Sequence, residues 1–223
     1  MLRRVSAIYL YIHSEWHRHL STKTAYLPAL AALGNTAPYL KAVYSRSEKS
    51  AHDLVGKAIV TLKLKTAPSI YHDEDVSANL EVLLARQDIT GILMALPISV
   101  QPRIVLKVLA AGKHVLSEKP VATDVKKGLE TISTYNQLYK DKGLVWRVAE
   151  NHEAEPGYRA AAAAIRYGKI GRVILFKTLV NTYIDKDSKY YKTQWRTIPD
   201  VSFFNYLWCT SLIAMISSTK ADF

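Results

Sequence analysis

Cysteine is almost missing from this chain: Cys209 is the single one in 223 residues. A lone thiol closes no intramolecular disulfide, so a fold stapled by cystines is excluded and no oxidising compartment is implied. No glycine precedes Gly34, which denies that stretch the tight backbone turns that only glycine makes without strain. No run of five consecutive basic residues occurs. The basic excess is nonetheless real, with 30 Lys and Arg against 19 Asp and Glu and a net charge of +11. Such a balance suits polyanions: nucleic acid, anionic membrane or phosphorylated cofactors. Lys126, Lys127, Lys140 and Lys142 read as spread over solvated helix faces, which argues against nucleic-acid binding as the main function.

Several other classes recede in the same way. The opening Met1–Leu10 is basic and then briefly apolar, but His13, Glu15 and His17 interrupt the apolar stretch, so no working signal peptide is expected and cytoplasm is the default. His13 and His17 stand four apart, with His19 beside them, yet no acidic or cysteine partner at useful spacing accompanies them. No metal is expected. With 49% hydrophobic residues, the chain can bury one full domain and part of a second.

From residue 40 onward short apolar runs alternate with amphipathic stretches. Leu40–Tyr44, Gly91–Leu96, His114–Ser117 and Leu144–Ala149 read as strands. Asn79–Ala85, Val100–Ala111 (stopped by Gly112) and a helix capped by Thr123 and running to about Lys140 lie between them. That last helix is expected to place Val125, Leu129, Ile132 and Tyr135 near one face. Strands alternating with helices predict a parallel, doubly wound α/β sheet of Rossmann type. Ligands bind such sheets beyond the carboxyl ends of the strands, here Ser45-Arg46-Ser47, Leu96-Pro97, Glu118-Lys119-Pro120 and Glu150-Asn151. Past Glu150 an Ala-rich helix, Tyr158–Tyr167, ends at Gly168, and a longer strand over 172–180 begins another sheet. The expected organisation is a dinucleotide-binding domain over 1–149 with residues 1–23 divergent, a partial substrate domain over 150–200, and a divergent apolar tail over 201–223.

Five blocks in order carry a family resemblance. They are Leu27-Pro28-Ala29-Leu30; His114 to Pro120 with Glu118-Lys119-Pro120; Ala149-Glu150-Asn151 with Glu155-Pro156-Gly157-Tyr158; Gly168-Lys169-Ile170-Gly171-Arg172-Val173; and Gln194-Trp195-Arg196-Thr197-Ile198-Pro199. On them the chain resembles the glucose–fructose oxidoreductase / inositol dehydrogenase (Gfo/Idh/MocA) family, in its fungal-type members. The resemblance implies hydride transfer between a nicotinamide and a small hydroxyl- or carbonyl-bearing substrate such as a sugar or polyol. Lys119 would be the catalytic lysine, donating a hydrogen bond to the reacting hydroxyl and helping to move its proton. Glu118 would face the cofactor or position Lys119, and Pro120 would follow a cis bond. Ser45, Arg46, Leu96, Pro97, Glu150 and Asn151 would line the cofactor, and Tyr158, Trp195 and Arg196 the substrate. Because Ser45-Arg46-Ser47 offers an arginine and no acid where the adenosine ribose is read, NADP is expected, with NAD as the alternative.

Two departures temper these implications. Where the family has its Gly-rich phosphate loop, residues 1–23 carry Arg, His and Tyr instead, so the backbone N–H cradle for a pyrophosphate is lost. After Asp200 the family's Gly-Gly segment and its Asp-x-x-x-His pair do not appear. Both ends are read as truncated or altered, and catalysis by this chain as impaired. The alternatives are a non-catalytic nucleotide-binding or regulatory remnant and a non-functional gene product. Val201 to Thr219 carries no charge; a tail anchor in a membrane is the weaker reading beside packing on a sheet edge. The expected partners are a nicotinamide dinucleotide and a small substrate, with a homo-oligomer left open.

Overall fold

The computed structural model describes residues 6–11, 26–175 and 186–187. The chain divides into two compact units, Met1–Val148 and Ala149–Phe223. In chain order the first unit holds β1 (Ser6–Tyr11), α1 (Leu27–Leu33), β2 (Tyr39–Ser45), α2 (Glu48–Leu62), β3 (Ser69–His72) and α3 (Leu80–Ala85). There follow β4 (Gly91–Ala95), α4 (Gln101–Ala110), β5 (His114–Ser117), α5 (Val125–Leu138) and β6 (Trp146–Val148).

All neighbouring strands pair parallel, in the order β3-β2-β1-β4-β5-β6. This is the doubly wound Rossmann-type sheet that the alternating pattern predicts. Strand side chains alternate between two faces, and the core divides accordingly. Ala42, Tyr44, Ile92, Met94 and Val115 face Leu83, Leu84, Val105, Val108 and Leu109 of α3 and α4. Leu40 and Val43 face Leu27 and Leu30 of α1 and Leu54, Val55 and Ala58 of α2. Apolar residues on both faces are what a parallel sheet covered by helices requires.

Local chemistry sets the helix starts. Ser47 caps α2 by accepting from Ser50 N–H at 3.4 Å. Asn79 caps α3 by accepting from the N–H groups of Glu81 and Val82 at 2.9 and 3.1 Å. For α5 the cap is Asp124, which accepts from Lys127 N–H at 2.9 Å. The expected cap, Thr123, instead donates its hydroxyl to the Asp124 carboxylate at 2.9 Å. A carboxylate at a helix N-terminus is the stronger cap because it also meets the positive end of the helix dipole.

Asp88, in the connection between α3 and β4, ties that connection to β2. Its carboxylate accepts a two-pronged contact from Arg86 (3.0 and 2.9 Å) and a third bond from Lys41 at 3.0 Å. Arg86, and then Lys41, hold the Asp88 carboxyl well below the usual carboxylate range. Its folded-state pKa is depressed, so its contribution to stability is present above the unfolded value of about 3.9 and is lost as pH falls below it. The group is 45% exposed, so solvent screening limits its worth. Asp88→Asn should cost about 1 kcal/mol near neutrality and nearly nothing at pH 2. Thermal unfolding of both proteins across that range checks this: a difference independent of pH would contradict it.

Three further features of the first unit differ from the sequence-based reading. First, α5 turns Val125, Leu129 and Ile132 outward, at 73%, 62% and 42% exposure, while Gly128 and Thr131 are buried. Tyr135 anchors the helix inward, with its hydroxyl donating to Leu144 O at 3.0 Å and its ring edge-on to Trp146 at 5.6 Å. Gly128, Thr131, Tyr135 and Tyr139 share a face, so satisfying the tyrosines rotates the apolar stripe away by roughly a quarter-turn. Second, α2 and β3 had drawn no expectation, although Ala51, Leu54, Val55 and Ala58 repeat at helical spacing after the Ser47 cap. Third, the last strand of the sheet is shorter than expected, Trp146–Val148.

The second unit opens with a 3-10 turn over Asn151–Ala154, followed by α6 (Pro156–Arg166). Gly168 takes φ +67° just beyond it, and Lys169 N–H returns to Ala164 O at 2.9 Å. Here the left-handed glycine closes the helix as expected. Residues 172–175 form no strand, and the rest of the expected strand over 172–180 lies outside the described residues.

Candidate functional site

The sheet order reverses between β1 and β4, and a doubly wound sheet opens a ligand crevice there, at the carboxyl ends of its strands. Two corners flank it.

One corner joins β2 and β3. Ser45 closes β2 fully buried and pairs in register with His72. Arg46 follows, exposed, and its carbonyl accepts from Asp73 N–H at 3.2 Å. Among the described residues Arg46 makes no ion pair. Three buried polar atoms, Ser45 Oγ, Ser50 Oγ and His72 Nδ1, have no hydrogen-bond partner. Buried polar groups are nearly always satisfied, so the two serine hydroxyls, at the end of β2 and in the first turn of α2, have hydrogen-bonding capacity to offer at this corner, while His72 Nδ1 has the Glu74 carboxylate 3.9 Å away. Asp73 is an acid that the linear reading did not bring to this corner. Its Oδ1 accepts from the Tyr44 hydroxyl at 2.5 Å. Burial first, and then that carboxylate, push the Tyr44 phenol well above its ordinary pKa. One Asp73 oxygen is thereby engaged, which lowers the acid's claim on a ribose hydroxyl.

The other corner joins β4 and β5. Glu118 follows β5 and its N–H donates to Met94 O at 3.2 Å. The Glu118 carboxylate accepts from the Tyr26 hydroxyl at 2.9 Å and from Lys119 N–H at 3.3 Å. The Lys119–Pro120 peptide bond is cis, as the resemblance implied. Gln101, the first residue of α4, is 1% exposed and donates from Nε2 to Glu118 O and to Pro120 O, both at 2.7 Å. Glu118, Lys119 and Pro120 are half-buried, which leaves them reachable from the crevice.

Leu96 and Pro97 sit half-buried just past β4, and Pro97 O accepts the N–H groups of Val100 and Gln101 at 3.1 and 3.2 Å. The first unit thus holds Ser45, Arg46, Leu96, Pro97, Glu118 and Lys119 on one edge of one sheet. Glu150, half-buried, Asn151, exposed, and Tyr158, half-buried on α6, belong to the second unit. Trp195 and Arg196 lie outside the described residues, as do His13, His17, His19 and the tail Val201–Thr219. Among the described residues no cluster of metal-ligating side chains occurs, and no helix is long and apolar enough to cross a membrane.

Three histidines have polar neighbours. His114 Nδ1 accepts from Val145 N–H at 3.0 Å, which makes the imidazole a structural acceptor between β5 and the residue before β6. His52 lies 3.7 Å from Glu48 and His72 Nδ1 3.9 Å from Glu74. Tyr26, Asp73 and Gln101 are the site residues that the sequence did not disclose. The N-terminal position of Gln101 on α4 was the only local signal for any of them.

Comparison with known proteins agrees with this fold. A family model described as "Oxidoreductase family, NAD-binding Rossmann fold" matches residues 20–149. The chain is similar to dehydrogenase FPY6 of Fusarium mangiferae, 36% identical over 178 residues that cover 78% of this chain and 48% of that protein. Its fold is similar to that of KijD10, a 3-ketoreductase of Actinomadura kijaniata solved with NADP and TDP-benzene (TM-score 0.55, 21% identity, 75% of this chain and 45% of that one). It is similar also to scyllo-inositol dehydrogenase of Lactobacillus casei (TM-score 0.56, 20% identity, 76% and 44%). The chain spans about half the length of the curated relatives it matches, 48% and 41% of the two compared.

Proposed function

The chain belongs to the Gfo/Idh/MocA family of oxidoreductases, and from that premise we propose that it binds NADP(H) along the carboxyl edge of its sheet. There it supports hydride transfer to or from a small sugar, polyol or related alcohol. The observation that carries this reading is the placement of Arg46 and Lys119 on one edge, on either side of the switch point. From β2 to β5 there are three strand steps, about 14 Å at the usual spacing, a gap that a dinucleotide laid across the crevice would bridge.

The corner at β2 and β3 fits the adenosine end of NADP. Arg46 supplies a cation for a 2′-phosphate, and Ser45 and Ser50 hold hydroxyls without a hydrogen-bond partner there. The bound cofactor would supply the hydride-carrying carbon. This chain's residues would do the rest. Glu118, braced by Tyr26, orients the strand end. The Lys119 amino group takes the hydroxyl proton as substrate is oxidised and returns it in reduction. Substrate contacts from Tyr158, Trp195 and Arg196 belong to the same proposal. Residues 12–25, which connect β1 to α1, contain no glycine, so the pyrophosphate would lack a close backbone cradle. We therefore infer weakened cofactor binding and slow turnover. A nucleotide-binding remnant without turnover is the second reading that the same feature favours.

Fluorescence titration of the purified chain with NADPH and NADH in parallel tests the proposal. NADPH should bind more tightly, and Arg46→Ala should weaken NADPH about tenfold, near 1.4 kcal/mol, while changing NADH little. No binding of either cofactor at millimolar concentration would leave the oxidoreductase reading as ancestry without activity. Equal affinities, unaltered by Arg46→Ala, would overturn the NADP preference alone.

A further inference from the structure

We propose that Gln101 is the positioning residue for Lys119, its carboxamide fixing how the end of β5 presents the lysine. The proposal rests on the assignment of Lys119 as the proton-transferring group. Gln101 Nε2 carries two protons, and both are used on the carbonyls of Glu118 and Pro120, each at 2.7 Å. These carbonyls bracket Lys119 on either side, so one side chain holds the peptide unit before the lysine and the residue after it. Carbonyl oxygens only accept hydrogen bonds, so the NH2 end of the carboxamide must face them.

The clamp has a firm base. Gln101 opens α4, its own N–H is bonded to Pro97 O at 3.2 Å, and its side chain is 1% exposed. On the opposite side Glu118 N–H is tied to Met94 O of β4 at 3.2 Å. Residues 118–120 are therefore gripped between β4 and the first turn of α4. Gln101 Oε1 is buried without a hydrogen-bond partner. An unsatisfied buried carbonyl is costly, and the cost is offset by the two bonds that Nε2 gives to Glu118 O and Pro120 O, carbonyls that an apolar side chain of the same shape would leave without this donor. Packing alone does not account for glutamine here; two short bonds to the strand end that carries Lys119 do.

Gln101→Met and Gln101→Glu separate the clamp from packing. Methionine keeps the length and removes both donors. Glutamate keeps the shape and sets a carboxylate against two carbonyl oxygens. Hydrogen exchange read by mass spectrometry on peptides covering 117–124 and, as control, 40–45 is measured for both, together with kcat, KM and NADPH affinity. In Gln101→Met the 117–124 peptide should exchange about tenfold faster with 40–45 unchanged. Its kcat should fall about tenfold or more while the NADPH dissociation constant stays within about twofold. Gln101→Glu should exchange faster still at 117–124 and lose more kcat, again with little change in NADPH affinity. If it fails to fold, Gln101→Met decides alone.

Unchanged exchange at 117–124 would overturn the proposal. Equal acceleration of both peptides would also overturn it, showing a general packing role, and so would a folded Gln101→Glu that behaves as wild type. If the wild-type chain binds NADPH but turns over no alcohol, the functional assignment of Lys119 fails separately. In that case the local exchange at 117–124 still shows whether the clamp exists.

Discussion

Lys119→Ala should lower kcat/KM for any alcohol the chain oxidises by about 10²–10⁴-fold, the range for losing a positioned acid–base group. NADPH affinity should change by less than about threefold, because the proposed phosphate contact lies at Arg46, about three strand spacings away. Thermal stability should hardly move, since Lys119 is half-buried at a strand end and not part of either apolar cluster. Single-turnover absorbance of NADPH at high protein concentration is the suitable measurement, because wild-type turnover is itself expected to be slow. A variant with undiminished rate would remove Lys119 from the chemistry and with it the reason for a clamp at Gln101.

Ile92→Ala should lower the unfolding free energy by about 2–5 kcal/mol, a large share of the 5–15 kcal/mol typical of a domain. Ile92 lies 1% exposed on β4, in the cluster with Val105, Val108 and Leu109 of α4. Truncation there removes transfer energy and leaves a cavity between two rigid elements that cannot close on it. Val60→Ala, at a residue 78% exposed, is the control and should cost within about 0.5 kcal/mol. Denaturant unfolding followed by circular dichroism compares the two. Similar losses would mean that the β4–α4 packing is not what holds the sheet.

β4 and α4 also show which parts of the fold were legible in the residues. Gly91–Ala95 is an uninterrupted apolar run between turn residues, and Gln101–Ala110 repeats apolar residues three and four apart; each pattern is local and names its own element. Glu118-Lys119-Pro120 was legible too, because an apolar strand that ends abruptly in charge places that charge at a carboxyl edge. The α5 expectation shows the limit. Its apolar stripe was visible, but which side of the helix turned inward depended on Tyr135 reaching Leu144 and Trp146.

What the sequence by itself determined, then, is the alternation of strands and helices, the two-faced apolar core, the family and the charged strand ends. The tertiary structure alone decided which strand ends are neighbours. It brought Tyr26 to Glu118 across 92 positions, Asp73 to Tyr44 across 29 and Gln101 to Glu118 across 17. The physical reason is one of range. Side-chain periodicity is set by backbone geometry within two to four residues. The partner of a polar atom at a strand end is set by the order in which the strands assemble, and no window of sequence contains that order.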